Sequence, residues 1–424
     1  MLYELWRAVA AARRNDWALR DAGSGRAWTF GELFAAGAAN AAQRVSCKFV
    51  FPQGNTPQFI LDLLAAWREG SVACPLEIDQ SPPAIDVRPA AWAHLKMTSA
   101  TTGPRRMVGF TAEQLAADAG NIVATMGLRA DWPNLGVISI AHSYGFSNLV
   151  LPLLLHGIPL ILVPAPLPEA VRRAAEGESA VTLPAVPAMW RAWHEADAIP
   201  MKVRLAISAG APLPLGLERD CFAARGLKIH NSYGSTECGG IAYDTSSTPR
   251  DDEACIGEPL KGVQLSVNGE NCLTVQSSAV GEGYFPAADA CLGNGRFQTN
   301  DLVELKDGLV FLRGRTSDFI NVAGRKVSPL LIERELSAHP AVAACVVFGA
   351  PDTEGDRADL IVAAVVPRTP VNGAALRQFM LARVPAWQVP RDWLFVESLT
   401  ANRLGKISRT EWRAKYSVAR SSSR

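Results

Sequence analysis

No charge sign dominates this 424-residue chain: 42 basic residues stand against 41 acidic ones, for a formal net charge of +1. That balance excludes the broad basic surface that nucleic acid or anionic lipid would need. Long apolar runs are missing as well. The longest stretch, 149–164, is broken by Pro152, His156, Gly157 and Pro159, whereas a membrane span needs about 20 mostly apolar residues. It reads as a buried helix, turn and strand. The eight cysteines include no C-x-x-C pair, so free thiols in a reducing cytoplasm are expected rather than disulfides or zinc ligands. The opening Met1-Leu2-Tyr3-Glu4 carries an early acidic residue and no apolar core of a signal peptide.

What is present is ordinary for a folded α/β protein. Hydrophobic residues make up 48% and charged residues 20%, and the length calls for two domains or three. Helical spacing covers 31–44, 57–68 and 111–126, and short apolar runs at 48–51, 72–75, 136–140, 203–208 and 227–230 read as strands. Strands alternating with helices imply largely parallel sheets. From 257 to 313 the texture becomes short strands with turns at Asn268-Gly269 and Asp307-Gly308, a β-rich and barrel-like segment. The last ~100 residues form a plausible small α+β domain, with helices at 329–338 and 373–381 and strands at 343–348 and 360–366.

Three segments carry chemistry. Thr98-Ser99-Ala100-Thr101-Thr102-Gly103-Pro104-Arg105-Arg106 crowds hydroxyls and a glycine into a loop, expected between a strand and a helix, ahead of two cations. Hydroxyls and backbone N–H groups wrap phosphate oxygens, and a guanidinium pairs with them. No Gly-Lys-Ser/Thr follows, so this is not a Walker A loop, and a polar surface turn would look the same. Asn231-Ser232-Tyr233-Gly234-Ser235-Thr236-Glu237, just after the strand at 227–230, offers a flat ring for a purine, a hydroxyl for phosphate and a carboxylate for Mg²⁺. Upstream, Ser208-Ala209-Gly210-Ala211-Pro212 is small enough for a ligand to approach the backbone, although an ordinary strand-turn fits either segment. Finally come Thr299-Asn300-Asp301, Gly314-Arg315 and Gly405-Lys406, isolated charges that matter through their order.

In that order the segments resemble the adenylate-forming superfamily of acyl-CoA synthetases, adenylation domains and luciferases. The loop at Thr98 is similar to its phosphate loop, Ser208–Pro212 to its adenine loop, and Asn231–Glu237 to its Tyr-Gly-x-Thr-Glu motif. Thr299–Asp301 resembles its Thr-Gly-Asp, Gly314-Arg315 its hinge entry and Gly405-Lys406 its C-terminal lysine, while 28–33 matches its aromatic opener. The resemblance implies a large N-terminal domain over 1–315 and a small mobile domain over 318–424, hinged near Ser317. It also implies that Thr98, Ser99, Thr101, Thr102 and Gly103 hold phosphates, and that Tyr233 and Gly210, Ala211 and Pro212 flank adenine, with Asn231, Ser232 and Gly234 beside them. Thr236 would touch the α-phosphate, Glu237 hold Mg²⁺, and Asp301 and Arg315 bind ribose. Lys406, with Arg106, would neutralise charge as a carboxylate attacks phosphorus, where positioning and charge do most of the work. His142, Tyr144, Ala209, Cys238 and Gly239 would line the acyl pocket, with Trp190 and Ile241. After rotation, the Gly324 loop would replace Lys406 for thiol attack.

The implied activity is ATP-dependent conversion of a small carboxylic acid to its acyl-AMP, then transfer to the thiol of CoA. Transfer to the phosphopantetheine arm of an acyl carrier protein is the alternative, and a non-catalytic nucleotide or acyl sensor a third reading. An aromatic or short-to-medium aliphatic acid suits the apolar pocket set better than an amino acid, whose ammonium group calls for a facing carboxylate. No nucleic acid and no membrane span are expected, and a homodimer is left open. Ala100, Arg106, Met107 and Asn300 depart from the family pattern, Arg106 keeping the charge with a different donor geometry. The phosphate loop also follows the strand at 72–75 within about twenty residues, which implies a shortened N-terminal subdomain.

Overall fold

The computed structural model describes residues 1–42, 48–85, 91–98, 106–322, 324–351, 359–399 and 407–422. Apolar runs separated by crossing helices must pair parallel, and residues 134–235 do so. Ile229–Ser235, Val203–Ser208, Val181–Ala185, Asn134–Gly136, Leu160–Leu162 and Trp17–Asp21 lie side by side in one parallel array. Beyond Ile229–Ser235 the same sheet continues antiparallel through Gly239–Tyr243, Cys255–Pro259, Leu309–Arg315, Arg296–Lys306, Cys272–Ser277 and Val263–Val267. The β-rich segment is this antiparallel half.

A second sheet of five strands runs Gly283–Phe285, Met107–Phe110, His94–Met97, Val72–Ala73 and Phe49–Val50. Helices Phe30–Ala42, Pro57–Glu69 and Ala112–Met126 and the segment 143–156 share one apolar core with residues of both sheets. Trp6, Phe30, Phe59, Phe110, Phe146, Trp190 and Trp193 are all fully buried in this core. Thr111 caps the Ala112–Met126 helix through a reciprocal pair with Gln114, as a Thr-x-x-Gln spacing predicts.

Residues 320–422 pack around their own apolar clusters. One joins Ile320, Ile332, Leu336, Val347, Val365 and Met380, and the other sets Phe348 against Trp412 and Tyr416. Their three-stranded sheet pairs Val342–Pro351, Asp359–Pro367 and Asp392–Phe395. A hairpin, Ile320–Val322 with Arg325–Val327, turns at Gly324 with φ +82°.

Three expectations change. The strand expected at 136–140 ends at Gly136. Beyond it side chains take over the backbone bonds: Asn55 accepts from the Ile140 N–H at 2.7 Å and donates to the Ile138 carbonyl at 3.2 Å. The phosphate loop joins two antiparallel strands, His94–Met97 and Met107–Phe110, rather than a strand and a helix. The Tyr233 motif lies within its strand, not after it, since the Ile229–Ser235 strand runs through it into a hairpin with Gly239–Tyr243.

Candidate active site

Tyr233 is on the strand where the large sheet changes from parallel to antiparallel pairing, the kind of position where open α/β sheets bind ligands. Its hydroxyl donates to the Asp301 carboxylate, whose other oxygen accepts from Arg315 Nε at 2.5 Å. Asp301 and Arg315 are register partners on neighbouring strands, so the ion pair is fixed by the sheet. Burial, then the Asp301 charge, pushes the Tyr233 phenol well up, and the same carboxylate raises Arg315. Asp301 is buried, and its N–H donates to Thr299 Oγ1 at 3.0 Å.

The loop after Ser208 lies beside this group. Ser208 pairs in register with Asn231, and its buried hydroxyl has no partner among the described residues. Asn231 donates to the Cys255 carbonyl at 3.4 Å. Arg250 donates to that same carbonyl at 2.7 Å and to the Leu213 carbonyl at 2.9 Å. Behind it, Glu218 binds both Arg250 and Lys228, and Lys228 reaches Asp244. This buried network, which no local pattern announces, anchors the adenine-loop region at its Leu213 end. Gly210 and Pro212 are exposed, and Ala211 is half-buried.

The phosphate-loop base is closed by Thr98, whose N–H and hydroxyl both donate to the Arg106 carbonyl at 2.8 and 2.9 Å. Ser99, Thr101, Thr102 and Gly103 lie outside the described residues. The Arg106 guanidinium is 3.5 Å from the Tyr284 ring centroid and 3.1 Å from Asp289 Oδ2. The Tyr284 hydroxyl donates to Glu237 Oε1 at 3.0 Å. Burial, then the Glu237 charge, raises that phenol. Asp289 is held low, first by the Cys291 N–H and also by Arg106. The Glu237 carbonyl accepts from the Gly281 N–H at 2.9 Å, so strand Gly283–Phe285 ties Glu237 to Met107–Phe110. Tyr284 and Asp289 were not singled out from sequence; the Glu282-Gly283-Tyr284 run beside a turn was the available signal.

At the acyl pocket expected from sequence, His142 Nδ1 accepts from the Tyr144 N–H at 3.4 Å and caps Ser143–Gly145, which leads into the π-helical turn Phe146–Val150. Such turns recur at functional sites. The Tyr144 hydroxyl faces the Ala185 carbonyl at 3.5 Å, which also accepts from the Ala209 N–H at 3.2 Å. Cys238 is fully buried, its thiol 3.3 Å from Ser235 Oγ and pushed up by burial. Gly239 has φ +70°, and a Cβ there would lie 2.0 Å from Asp118 Oδ1. Trp190 is a core residue that donates to the Ile207 carbonyl at 3.2 Å. Ser317 is exposed in the turn Thr316–Asp318, Gly324 is exposed, and Lys406 lies outside the described residues.

The described residues form two bonded groups, Tyr233–Asp301–Arg315 and Glu237–Tyr284–Arg106–Asp289, which the chain from Tyr233 to Glu237 connects. The AMP-binding enzyme family model matches residues 83–285, and its C-terminal domain model matches 331–406. The chain belongs to the AMP-binding, adenylate-forming enzyme family. A feruloyl-CoA synthase from Amycolatopsis sp. is 27% identical over 361 residues, covering 80% of this chain and 72% of the relative. A probable 2-succinylbenzoate–CoA ligase from Mycobacterium tuberculosis is 30% identical over 336 residues, covering 74% of this chain and 81% of that protein. The o-succinylbenzoate CoA synthetase of Bacillus subtilis, solved with its acyl-adenylate intermediate, superposes with TM-score 0.82 at 22% identity over 96% of this chain and 97% of that one.

Within this family frame, the described departures are accommodated locally. Met107 is buried against the apolar cluster of Trp92 and Leu95 and pairs with Phe285. Asn300 is exposed within the strand Arg296–Lys306, next to Asp301, its carbonyl 3.4 Å from Thr316 Oγ1. Arg106 uses its planar fork on both a ring face and a carboxylate, a combination that a lysine cannot reproduce. No described helix is long and apolar enough to cross a membrane.

Proposed function

We propose that this enzyme activates a small, aromatic carboxylic acid as its acyl-AMP, with release of pyrophosphate, and passes the acyl group to the thiol of CoA. The observation that carries the reading is that a flat ring held by an ion pair and a braced carboxylate stand four residues apart on one chain segment: Tyr233 with Asp301–Arg315, and Glu237 with Tyr284. Arg315 and Tyr233 hold the Asp301 carboxylate in one orientation, from which it would accept from vicinal hydroxyls. The half-buried Glu237, braced by Tyr284, is a hard oxygen donor that suits Mg²⁺. That ion would supply charge neutralisation between carboxylate and α-phosphate. Arg106 sits on the same bridge and would lend its charge to the leaving pyrophosphate, with Thr98 closing the loop that orients it.

His142, Tyr144, Ala209, Cys238 and Gly239 favour an uncharged acyl body. The Asp118 carboxylate behind Gly239 is engaged by Lys96, Ser147 and Gly240 and is not left for an ammonium group. The CoA-ligase names of the relatives favour CoA over a carrier protein as acceptor. The domain reading, 1–315 and 318–424 hinged near Ser317, fits a separate apolar core beyond Ile320. Seven described cysteines, all free, suit a cytoplasmic setting.

Pyrophosphate exchange over an acid panel, followed by thiol transfer to CoA and to holo-carrier protein, tests the reading. Benzoate-like acids should exchange faster than palmitate or amino acids, and CoA should accept the product. Palmitate as the best acid by an order of magnitude would overturn the substrate class.

A further inference from the structure

Lys96 stands in a strand of the smaller sheet, two residues before the phosphate loop opens, and is 4% exposed. Its ammonium lies 3.1 Å from Ser147 Oγ and 3.5 Å from Asp118 Oδ2, with the rings of Phe110 and Phe146 at 4.7 and 5.9 Å. His94, on the same strand, stacks on Phe146 and is kept neutral by burial and by Lys96. Asp118, on the Ala112–Met126 helix, is 2% exposed. Its Oδ2 accepts from the Ser147 hydroxyl at 2.6 Å and its Oδ1 from the Gly240 N–H at 3.1 Å.

Stability does not account for this arrangement. Two charges taken out of water gain little over well-packed apolar side chains of the same volume. What the pair supplies is a junction. It joins the strand that leads into Thr98, the Ala112–Met126 helix, the π-helical turn after His142, and the loop from Ser235 to Gly240 that carries Thr236 and Glu237. The contact is close: Gly239 lies so near the carboxylate that no Cβ fits.

We propose that the Lys96–Asp118 pair is a positioning unit of the reaction, holding the Thr236–Glu237 loop in register with the phosphate loop. Asp118 acts through the Gly240 N–H, and Lys96 acts by orienting Asp118. Neither touches substrate. The inference rests on the assignment of Glu237 to the metal.

Two double variants test it, each removing both charges so that neither is left buried alone. Lys96→Met/Asp118→Leu deletes the acceptor for Gly240, and Lys96→Met/Asp118→Asn keeps an amide oxygen there. Pyrophosphate exchange is titrated with Mg²⁺, ATP and acid, alongside melting temperature. The leucine double variant should raise the Mg²⁺ half-saturation about tenfold or more, as loss of a residue that orients a metal ligand does. Its KM for the acid should stay near the wild-type value, and the asparagine variant should recover most of the Mg²⁺ response. Unmoved Mg²⁺ dependence in the leucine variant, or equal losses in both variants that track melting temperature, overturns the proposal. If the leucine variant does not fold, Lys96→Met alone is read: a shifted Mg²⁺ titration at constant acid KM supports the pairing, and no shift overturns it. An unmoved titration in Glu237→Gln would remove the metal assignment and this inference with it. Absence of exchange by the wild-type protein with every acid would instead defeat the proposed function itself.

Discussion

Tyr284 donates its hydroxyl to Glu237 at 3.0 Å while its ring face carries the Arg106 guanidinium. One aromatic side chain thus spaces an acidic and a basic residue of the proposed phosphate site. Arg106 is also paired with Asp289, so its charge is already oriented.

Glu237→Gln keeps the size and removes the anionic ligand. The Mg²⁺ concentration for half-maximal exchange should rise about tenfold or more, with an unchanged melting temperature. Tyr284→Phe keeps the stacking and drops one hydrogen bond, so its shift should run the same way and be smaller. An unmoved Mg²⁺ titration in Glu237→Gln removes that residue from the metal site.

Asp301→Asn should act on nucleotide affinity. The substitution removes the charge that Tyr233 and Arg315 orient. A hydrogen bond to a charged group is worth roughly 1.5–3 kcal/mol, so the KM for ATP should rise roughly ten- to a hundredfold at constant KM for the acid. Equal rises in both would mean that the variant disturbs the fold and not the ribose contact.

Gly239→Ala should destabilise the protein and slow exchange together. Left-handed backbone costs a non-glycine residue roughly 1–2 kcal/mol, and the added methyl also meets Asp118. Thermal melting of the purified variant measures the first effect. A wild-type melting temperature would show that the loop has room to move.

The half-reactions should separate between two residues of the small domain. Lys406→Ala should lower acyl-AMP formation by about 10²–10³ and leave thioester formation from pre-made acyl-AMP near normal. Gly324→Leu should do the reverse, although its left-handed turn will also strain the hairpin. Single-turnover assays of each step decide it, and equal loss of both steps in both variants would defeat the two-conformation mechanism.

Elements with local punctuation were legible in the sequence. The helix expected at 57–68 is observed as Pro57–Glu69, because proline opens it and Gly70 closes it in the left-handed region. The order of the motifs likewise led to the family, since each is a short contiguous signature. The run Val137-Ile138-Ser139-Ile140 misled because its apolar content is as high as a strand's, while its hydrogen bonds go to Asn55. Tyr284 and Asp118 were illegible for a different reason. Their partners Glu237 and Gly240 lie 47 and 122 residues away, and no periodicity relates positions that distant.

The Lys96–Asp118 contact also limits how this chain can be recombined with its relatives. A crossover placed between Thr98 and Thr111 would inherit the lysine from one parent and the aspartate from the other. Where the second parent has an apolar residue at either position, the hybrid would hold an unmatched buried charge. Exchanges that transfer residues 94–148 as one block keep Lys96, Asp118 and Ser147 together, and they leave only the backbone N–H of Gly240, which every parent other than one with proline there supplies, to be matched across the join.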